Sequence, residues 1–233
     1  MMSRNFLKYI AIIAMTLDHI ACFIPSISPT CFFIFKMIGR ITFPIMCFFI
    51  AQGIKYTSNK KKYANRLLIF ALISQIPWTL LHDNNLFTWN IFLNLNTIFT
   101  LLFSYLFISN ISSENKIQTK IILSLILIAL CFLCDYKFIG ILYLLYFYYL
   151  PIKEQKLYLP LLLTLTASCS IFLNYSANNI LANTSICLGL FLTIPLIYFY
   201  DPNKYHKNKF NKYVFYIYYP LHLLVIFFIN LAI

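Results

Sequence analysis

The residues best suited to chemistry in this chain are one carboxylate, one guanidinium and two imidazoles that lie in otherwise apolar stretches. They are Asp18, His19, Arg40 and His222. An ionisable group inside hydrocarbon costs about 2.5–3.5 kcal/mol or more, so it needs a partner or a function. A histidine acts as base, acid or nucleophile near neutral pH, and an arginine stabilises an oxyanion or holds a phosphate. This set predicts a functional site with acid–base chemistry or, alternatively, a scaffold of buried ion pairs.

Helix geometry indicates which of these side chains can meet. Successive residues point about 100° apart, so Asp18 and His19 are expected to face different neighbours. The 1.5 Å rise per residue puts Asp18, His19 and Lys36 roughly 9 Å from the outer ends of their helices, and Arg40 roughly 15 Å. Asp18 is therefore expected to meet Lys36 or Arg40. For His222, a bond from Nδ1 to a helix carbonyl is the structural alternative to a function.

Further polar residues are predicted to line a substrate cavity, and all but Tyr219 fall in the same outer half. They are Lys36, Gln75, Asn94, Asn96, Thr97, Asp135 and Tyr219. For the amides and Thr97, hydrogen bonding between helices is the structural alternative.

The elements that carry these residues are predicted to be membrane-spanning helices. Of the 233 residues, 61% are hydrophobic and 10% charged, whereas soluble domains are about 45–50% apolar and 25% charged. A window of about 20 residues finds about nine spans. They are 6–24, 31–54, 66–82, 92–109, 118–134, 136–150, 157–173, 184–200 and 212–232. The predicted fold is an all-α polytopic bundle in which residues 1–233 form one integral-membrane domain without a soluble domain.

The basic residues predict the orientation of this bundle. All of the 18 Lys and Arg residues except Lys36, Arg40 and Lys137 lie at the start of span one or in alternate connections and the span ends beside them, which indicates the cytoplasmic side. The N-terminus is therefore predicted to be cytoplasmic and the C-terminus outside. An even number of spans is the alternative, since the turn at Asp135 could be a hairpin that does not cross.

The charge of +12 then reflects topology, and a nucleic-acid partner is not expected. One basic connector stands out for its density, with Lys60, Lys61, Lys62 and Arg66 in seven residues. This connector either sets the membrane topology or binds an anionic ligand such as a nucleotide phosphate. The seven cysteines are scattered through apolar runs, so neither a disulfide framework nor a metal site is predicted.

The motifs resemble the TraX family of conjugation-associated membrane proteins. The clearest are the Asp18-His19-Ile20 and Gly39-Arg40 segments and the closing Tyr219-Pro220-Leu221-His222-Leu223. The resembling segments follow in order along nearly the whole chain, at 7–20, 38–44, 51–57, 63–77, 93–101, 135–136 and 219–223. Two positions depart from the family pattern, with Lys137 where glycine is expected and Gln52 where an acidic residue is frequent.

The resemblance implies an acetyltransferase in the bacterial cytoplasmic (inner) membrane. It implies acetyl-CoA as acyl donor and no metal, with a pilin N-terminus or an envelope glycan as acceptor on the outer side. Catalysis would lie at Asp18, His19 and Arg40, with His222 lining the same cavity. The basic connector at residues 60–66 would then draw CoA to the cytoplasmic mouth.

Two other classes of function fit the composition. A secondary transporter would also hold intramembrane charges, although four glycines and about nine spans do not suggest two broken-helix halves. A noncatalytic membrane protein of pilus or envelope assembly would use the same charges as scaffold pairs.

Overall fold

The computed structural model describes residues 2–86, 88–173, 180–202, 204 and 209–232, and this part of the chain is helical, with no strand. Its helices are α1 (Arg4–Phe23), α2 (Pro29–Gly39), α3 (Thr42–Tyr56), α4 (Lys60–Asp83), α5 (Asn90–Leu93), α6 (Thr97–Ile111), α7 (Ile117–Cys131), α8 (Ile139–Tyr149), α9 (Ile152–Leu173), α10 (Ile180–Phe191), α11 (Thr193–Tyr198) and α12 (Lys209–Ala232). The prediction of an all-α fold is confirmed. Most of the predicted connection at 174–183, and His206, lie outside the described residues.

Four segments of the described chain are long and apolar enough to cross a membrane. They are Arg4–Phe23, Pro29–Tyr56, Lys60–Asp83 and Tyr213–Ala232. Four further apolar segments among the described residues are shorter, for example Thr97–Ile111, which at 1.5 Å per residue is about 22 Å long against a hydrocarbon core of about 30 Å. The count of about nine spans and the orientation of the termini stay predictions.

The predicted span 31–54 is interrupted in the structure. Helix α2 ends at Gly39 and α3 begins at Thr42, so Arg40 lies at the break, where its backbone N–H still donates to the Lys36 carbonyl at 3.2 Å. Pro44 lies in the first turn of α3, where an N–H has no helical partner, so it is compatible with a new helix starting here. The interruption places Arg40 at a helix end within the apolar segment.

The chain divides into two compact units. Unit 1 comprises Met1–Met46 and Pro151–Ile233, and unit 2 comprises Cys47–Leu150. In unit 1, α1 packs on α2 and α12, and α10 packs on α2 and α9. In unit 2, α6 packs on α4, α7 and α8. The prediction of one membrane domain over residues 1–233 stays a prediction.

Helices α1 and α12 run parallel to each other within unit 1. Thr16 contacts Tyr218, and His19 contacts His222 three and four residues further along, so both helices advance in the same direction. This pairing brings the two histidines to one level of the unit.

In unit 2, a short non-helical segment between α5 and α6 pairs with the turn after α7. Leu95 donates its N–H to the Leu133 carbonyl at 2.7 Å and accepts from the Asp135 N–H at 3.0 Å. Within the same turn Lys137 has a φ of 46°, the left-handed region that glycine adopts most easily. This conformation accounts for the expectation of glycine at that position.

Candidate functional site

The first contact of the candidate site is an ion pair between α1 and α2. Asp18 Oδ1 accepts a hydrogen bond from Arg40 Nη2 at 2.7 Å, and Lys36 Nζ lies 3.4 Å from the same oxygen. Lys36 also donates to Cys22 Sγ. The three charged side chains are 14–18% exposed, so the carboxylate is held between two cations in a largely buried position. Asp18 thus meets both of its expected partners.

Two glycines allow the helices around Arg40 to approach closely. A methyl group on Gly39 would collide with the Asp18 side chain. A methyl group on Gly189 of α10 would collide with the Met37 backbone carbonyl and would lie 2.9 Å from Arg40 Cβ. The end of α2 next to Arg40 therefore packs tightly against both α1 and α10.

The second contact is an imidazole pair between α1 and α12. His19 Nδ1 and His222 Nε2 are 2.7 Å apart, and the two residues are 7% and 5% exposed. His222 Nδ1 is 2.9 Å from the Tyr218 carbonyl oxygen. The Tyr219 ring meets both imidazoles edge-on, at centroid distances of 6.3 and 5.6 Å. The neighbours Asp18 and His19 thus face α2 and α12 respectively.

A groove of about 370 Å³ lies between α1 and α12 beside His222. Thr16, Tyr218 and His222 are its polar lining residues, and six aliphatic side chains form the rest of its wall. The imidazole pair is therefore adjacent to an apolar surface.

The predicted polar residues of unit 2 form a separate network. Gln75 donates to the carbonyls of Ile91 and Asn94 and accepts from the backbone and side-chain N–H groups of Asn96, all within 3.1 Å. Asn96 also donates to the Ala71 carbonyl at 2.8 Å. These bonds attach the segment before α6 to α4. They correspond to the structural alternative, and a role for these amides in a substrate cavity stays a prediction.

Thr97 and Asp135 are also brought together in unit 2, where the Thr97 hydroxyl donates to Asp135 Oδ2 at 3.0 Å. This bond joins the start of α6 to the turn after α7, next to the Leu95 backbone pairing. Asp135 therefore helps to hold the turn in place.

The predicted CoA-binding residues lie at the start of α4. Lys60, Lys61 and Lys62 are exposed in its first turn, where Asn59 caps the helix by accepting from the Lys62 N–H at 2.8 Å. Arg66 is half-buried, with its guanidinium carbon 4.9 Å from the centre of the Tyr63 ring. Three lysines at the positive end of a helix dipole make a strongly electropositive surface.

Sequence reasoning missed three residues that support the site, namely Thr16, Tyr218 and Gly189. Tyr218 lies four residues before His222, on the same face of α12, and this spacing was a usable signal. Gly189 had none, because its importance depends on which helix packs against it. Among the described residues, no group of three or more His, Cys, Asp or Glu is placed to hold a metal ion.

Long apolar helices that enclose a carboxylate, a guanidinium and two imidazoles define a helical membrane protein with a buried polar site. The chain belongs to the TraX protein family, which matches residues 3–230.

Two relatives add detail to this assignment. The chain is 30% identical over 237 residues to a protein of Dichelobacter nodosus named "Probable fimbrial assembly protein FimC, serogroup H1", and the match covers 95% of this chain and 96% of that one. It is 36% identical over 86 residues to an uncharacterized protein of Rickettsia prowazekii (strain Madrid E), covering 36% of this chain and 31% of that protein. No solved structure matches the chain.

Proposed function

We propose that this protein is a membrane-embedded acyltransferase that moves acetyl from cytoplasmic acetyl-CoA to an amine or hydroxyl on the outer side of the bacterial inner membrane. The observation that carries the proposal is the position of a buried imidazole pair next in sequence to a buried carboxylate–guanidinium pair. A structural ion pair alone would account for Asp18 and Arg40. It would not account for two buried imidazoles in contact.

Acetyl transfer needs a base and a group that stabilises negative charge. The acceptor nitrogen or oxygen attacks the thioester carbonyl carbon, and His19 takes the acceptor's proton. Arg40 stabilises the oxyanion of the tetrahedral intermediate. The C–S bond then breaks, CoA leaves as the thiolate, and the acetyl group remains on the acceptor. Asp18 holds the Arg40 guanidinium in place throughout.

The donor enters from the side of the basic connector. CoA carries phosphate groups, and the exposed Lys60, Lys61 and Lys62, together with Arg66, supply cations that attract it. This assignment follows the predicted orientation, in which that connector is cytoplasmic.

The acceptor is a pilin N-terminus or an envelope glycan. The family resemblance implies a pilin amine, and the printed name of the Dichelobacter nodosus relative describes fimbrial assembly. Both support a role connected with pili.

Transfer of labelled acetyl tests the proposal. Membranes containing wild type or His19→Ala at matched levels are supplied with acetyl-labelled acetyl-CoA, and label in protein and in glycan is counted. The proposal predicts label only with wild type. Equal label in both membranes would refute the role of His19.

The relative's name also favours a second candidate, a noncatalytic membrane protein of fimbrial assembly. In that case Asp18 and Arg40 form a scaffold pair, and exchanging their charges in the Asp18→Arg/Arg40→Asp double variant should largely preserve function. An acyltransferase should lose transfer in the same variant, because the cation no longer faces the intermediate. Piliation and acetyl transfer are measured together in the double variant.

A further inference from the structure

We infer that His222 is a positioning residue, which sets the tautomer of His19 so that His19 Nε2 is the nitrogen that accepts the proton from the acceptor. The inference rests on the proposed function for its catalytic meaning. The protonation pattern itself rests on the hydrogen bonds and on the burial of His222.

The tautomer of each imidazole follows from its hydrogen bonds, beginning at the Tyr218 carbonyl. The Tyr218 carbonyl oxygen can only accept, so the nitrogen 2.9 Å from it, His222 Nδ1, carries a hydrogen. The residue His222 is 5% exposed and lies against a second imidazole, which favours its neutral form. Neutral His222 then has its lone pair on Nε2, and His19 Nδ1, 2.7 Å away, donates to it. In neutral His19 the remaining nitrogen, Nε2, is the basic one.

The arrangement also suits the protonated state that the transfer step creates. When His19 Nε2 takes the acceptor's proton, Nδ1 keeps its hydrogen and its bond to His222 Nε2. The bond strengthens because its donor is now charged. His222 therefore supports the same His19 orientation before and after proton transfer, without itself contacting the reacting atoms.

Tyr218, on the same helix α12, holds the His222 ring in this orientation. The Tyr218 ring stacks on the His222 ring at 8° and 5.2 Å between centroids. The Tyr218 hydroxyl is 2.7 Å from Thr16 Oγ1, and the Thr16 hydroxyl also bonds the Ile12 carbonyl of α1 at 2.9 Å. Tyr218 thus contacts His222 through both its backbone and its ring, and is tied to the helix that carries His19.

Two amide substitutions separate the acceptor role of His222 from its packing. In His222→Gln the amide reaches the position of Nε2 and supplies an acceptor to His19 Nδ1. In His222→Asn the amide reaches only the position of Nδ1, so it can bond Tyr218 but not His19. We expect kcat in the Gln variant within a few-fold of wild type, and a loss on the order of 100-fold in the Asn variant, with KM for acetyl-CoA little changed. An equal loss in both variants, at equal thermal stability, would overturn the inference.

Nitrogen-15 spectra of labelled histidine test the tautomer without any transfer assay. In full-length protein in lipid carrying His82→Gln and His206→Gln, only the two site histidines contribute. We expect Nδ1–H on both rings, and loss of the single His19 tautomer in the Asn variant. An Nε2–H tautomer of His19 in the wild-type pair would overturn the inference. Nδ1–H on His19 in a protein without transfer activity would contradict the acyltransferase proposal and support the tautomer assignment.

Discussion

Asp18 and His19 are neighbours in the sequence, yet at the residue scale they belong to two different contacts. Asp18 joins Arg40 and Lys36 on α2, whereas His19 joins His222 on α12. The divergence follows from the 100° between successive helical residues. One helix thus presents a charged contact and an imidazole contact at the same level.

The ion pair predicts a strong asymmetry between the two cations near Asp18. Arg40→Met leaves the carboxylate paired with Lys36 at 3.4 Å but removes its shorter bond, and a hydrogen bond to a charged group contributes about 1.5–3 kcal/mol to the free energy of unfolding. Lys36→Met leaves the 2.7 Å bond to Arg40 intact and should cost much less. Unfolding midpoints in detergent measure both. Similar losses of stability in the two variants would show that Arg40 is not the dominant ion-pair partner of Asp18.

Sequence reasoning at this scale identified Lys36 and Arg40 as the partners of Asp18, because positions along neighbouring helices follow from counting residues. It did not identify the contact between His19 and His222. That contact depends on α1 packing beside α12, and the two histidines are 203 positions apart in the sequence. Local spacing carries no information about which distant helices are neighbours.

At the scale of elements, the end of α2 is held by two helices that approach it through glycine. Predicting the helix break at Arg40 from hydropathy alone was not feasible, because residues 31–54 are apolar on both sides of it. The packing of Gly39 and Gly189 is a tertiary property. It shows only when α1, α2 and α10 are assembled.

The close approach predicts that Gly189→Ala disrupts the site from a distance. Its methyl group meets the Met37 backbone carbonyl, which cannot move without moving α2. We therefore expect the free energy of unfolding to fall by about 1–3 kcal/mol and acetyl transfer to weaken. Gly53→Ala is the matched control, since the nearest atom there is the hydroxyl end of the Tyr63 side chain, at 2.7 Å, which can swing away. Equal thermal stability of the two variants would argue against tight packing at α2.

The amide network of unit 2 predicts that the stability of the fold depends on Gln75. Gln75→Met keeps the side-chain size but leaves the Asn96 N–H groups and the Asn94 carbonyl without that partner, at about 1–3 kcal/mol for each buried group. The temperature of thermal unfolding should therefore be markedly lower in this variant than in wild type. If the amide instead serves mainly to bind substrate, stability will be unchanged and KM for the acceptor will rise.

At the scale of the whole molecule, the parallel course of α1 and α12 bears on topology. Two parallel helices that both cross the membrane do so in the same direction, which requires an odd number of crossings from the first to the last. The charge distribution independently predicts the N-terminus inside and the C-terminus outside. Composition and charge thus predicted the class of fold, while the number of crossings depends on helices shorter than a full span.

Reporter fusions check this topology. Alkaline phosphatase fused after residue 233 should be active and a fluorescent protein fused there should be dark, because the C-terminus is expected outside. The same reporters after residue 58, in the basic connector, should behave in the opposite way. If the fluorescent protein is bright and the phosphatase inactive at both fusion points, the number of crossings between the N- and C-termini is even.

The central claim is that the site transfers acetyl, and purified protein in lipid vesicles tests it most directly. Wild type, His19→Ala and the control His82→Ala are reconstituted at equal amounts and given acetyl-labelled acetyl-CoA together with candidate pilin and glycan acceptors. His82 Nδ1 bonds the Trp78 carbonyl at 2.9 Å, one turn earlier on α4. We predict labelled acceptor with wild type and His82→Ala and none with His19→Ala. Label that does not depend on His19, or no label with wild type on any acceptor, would contradict the account.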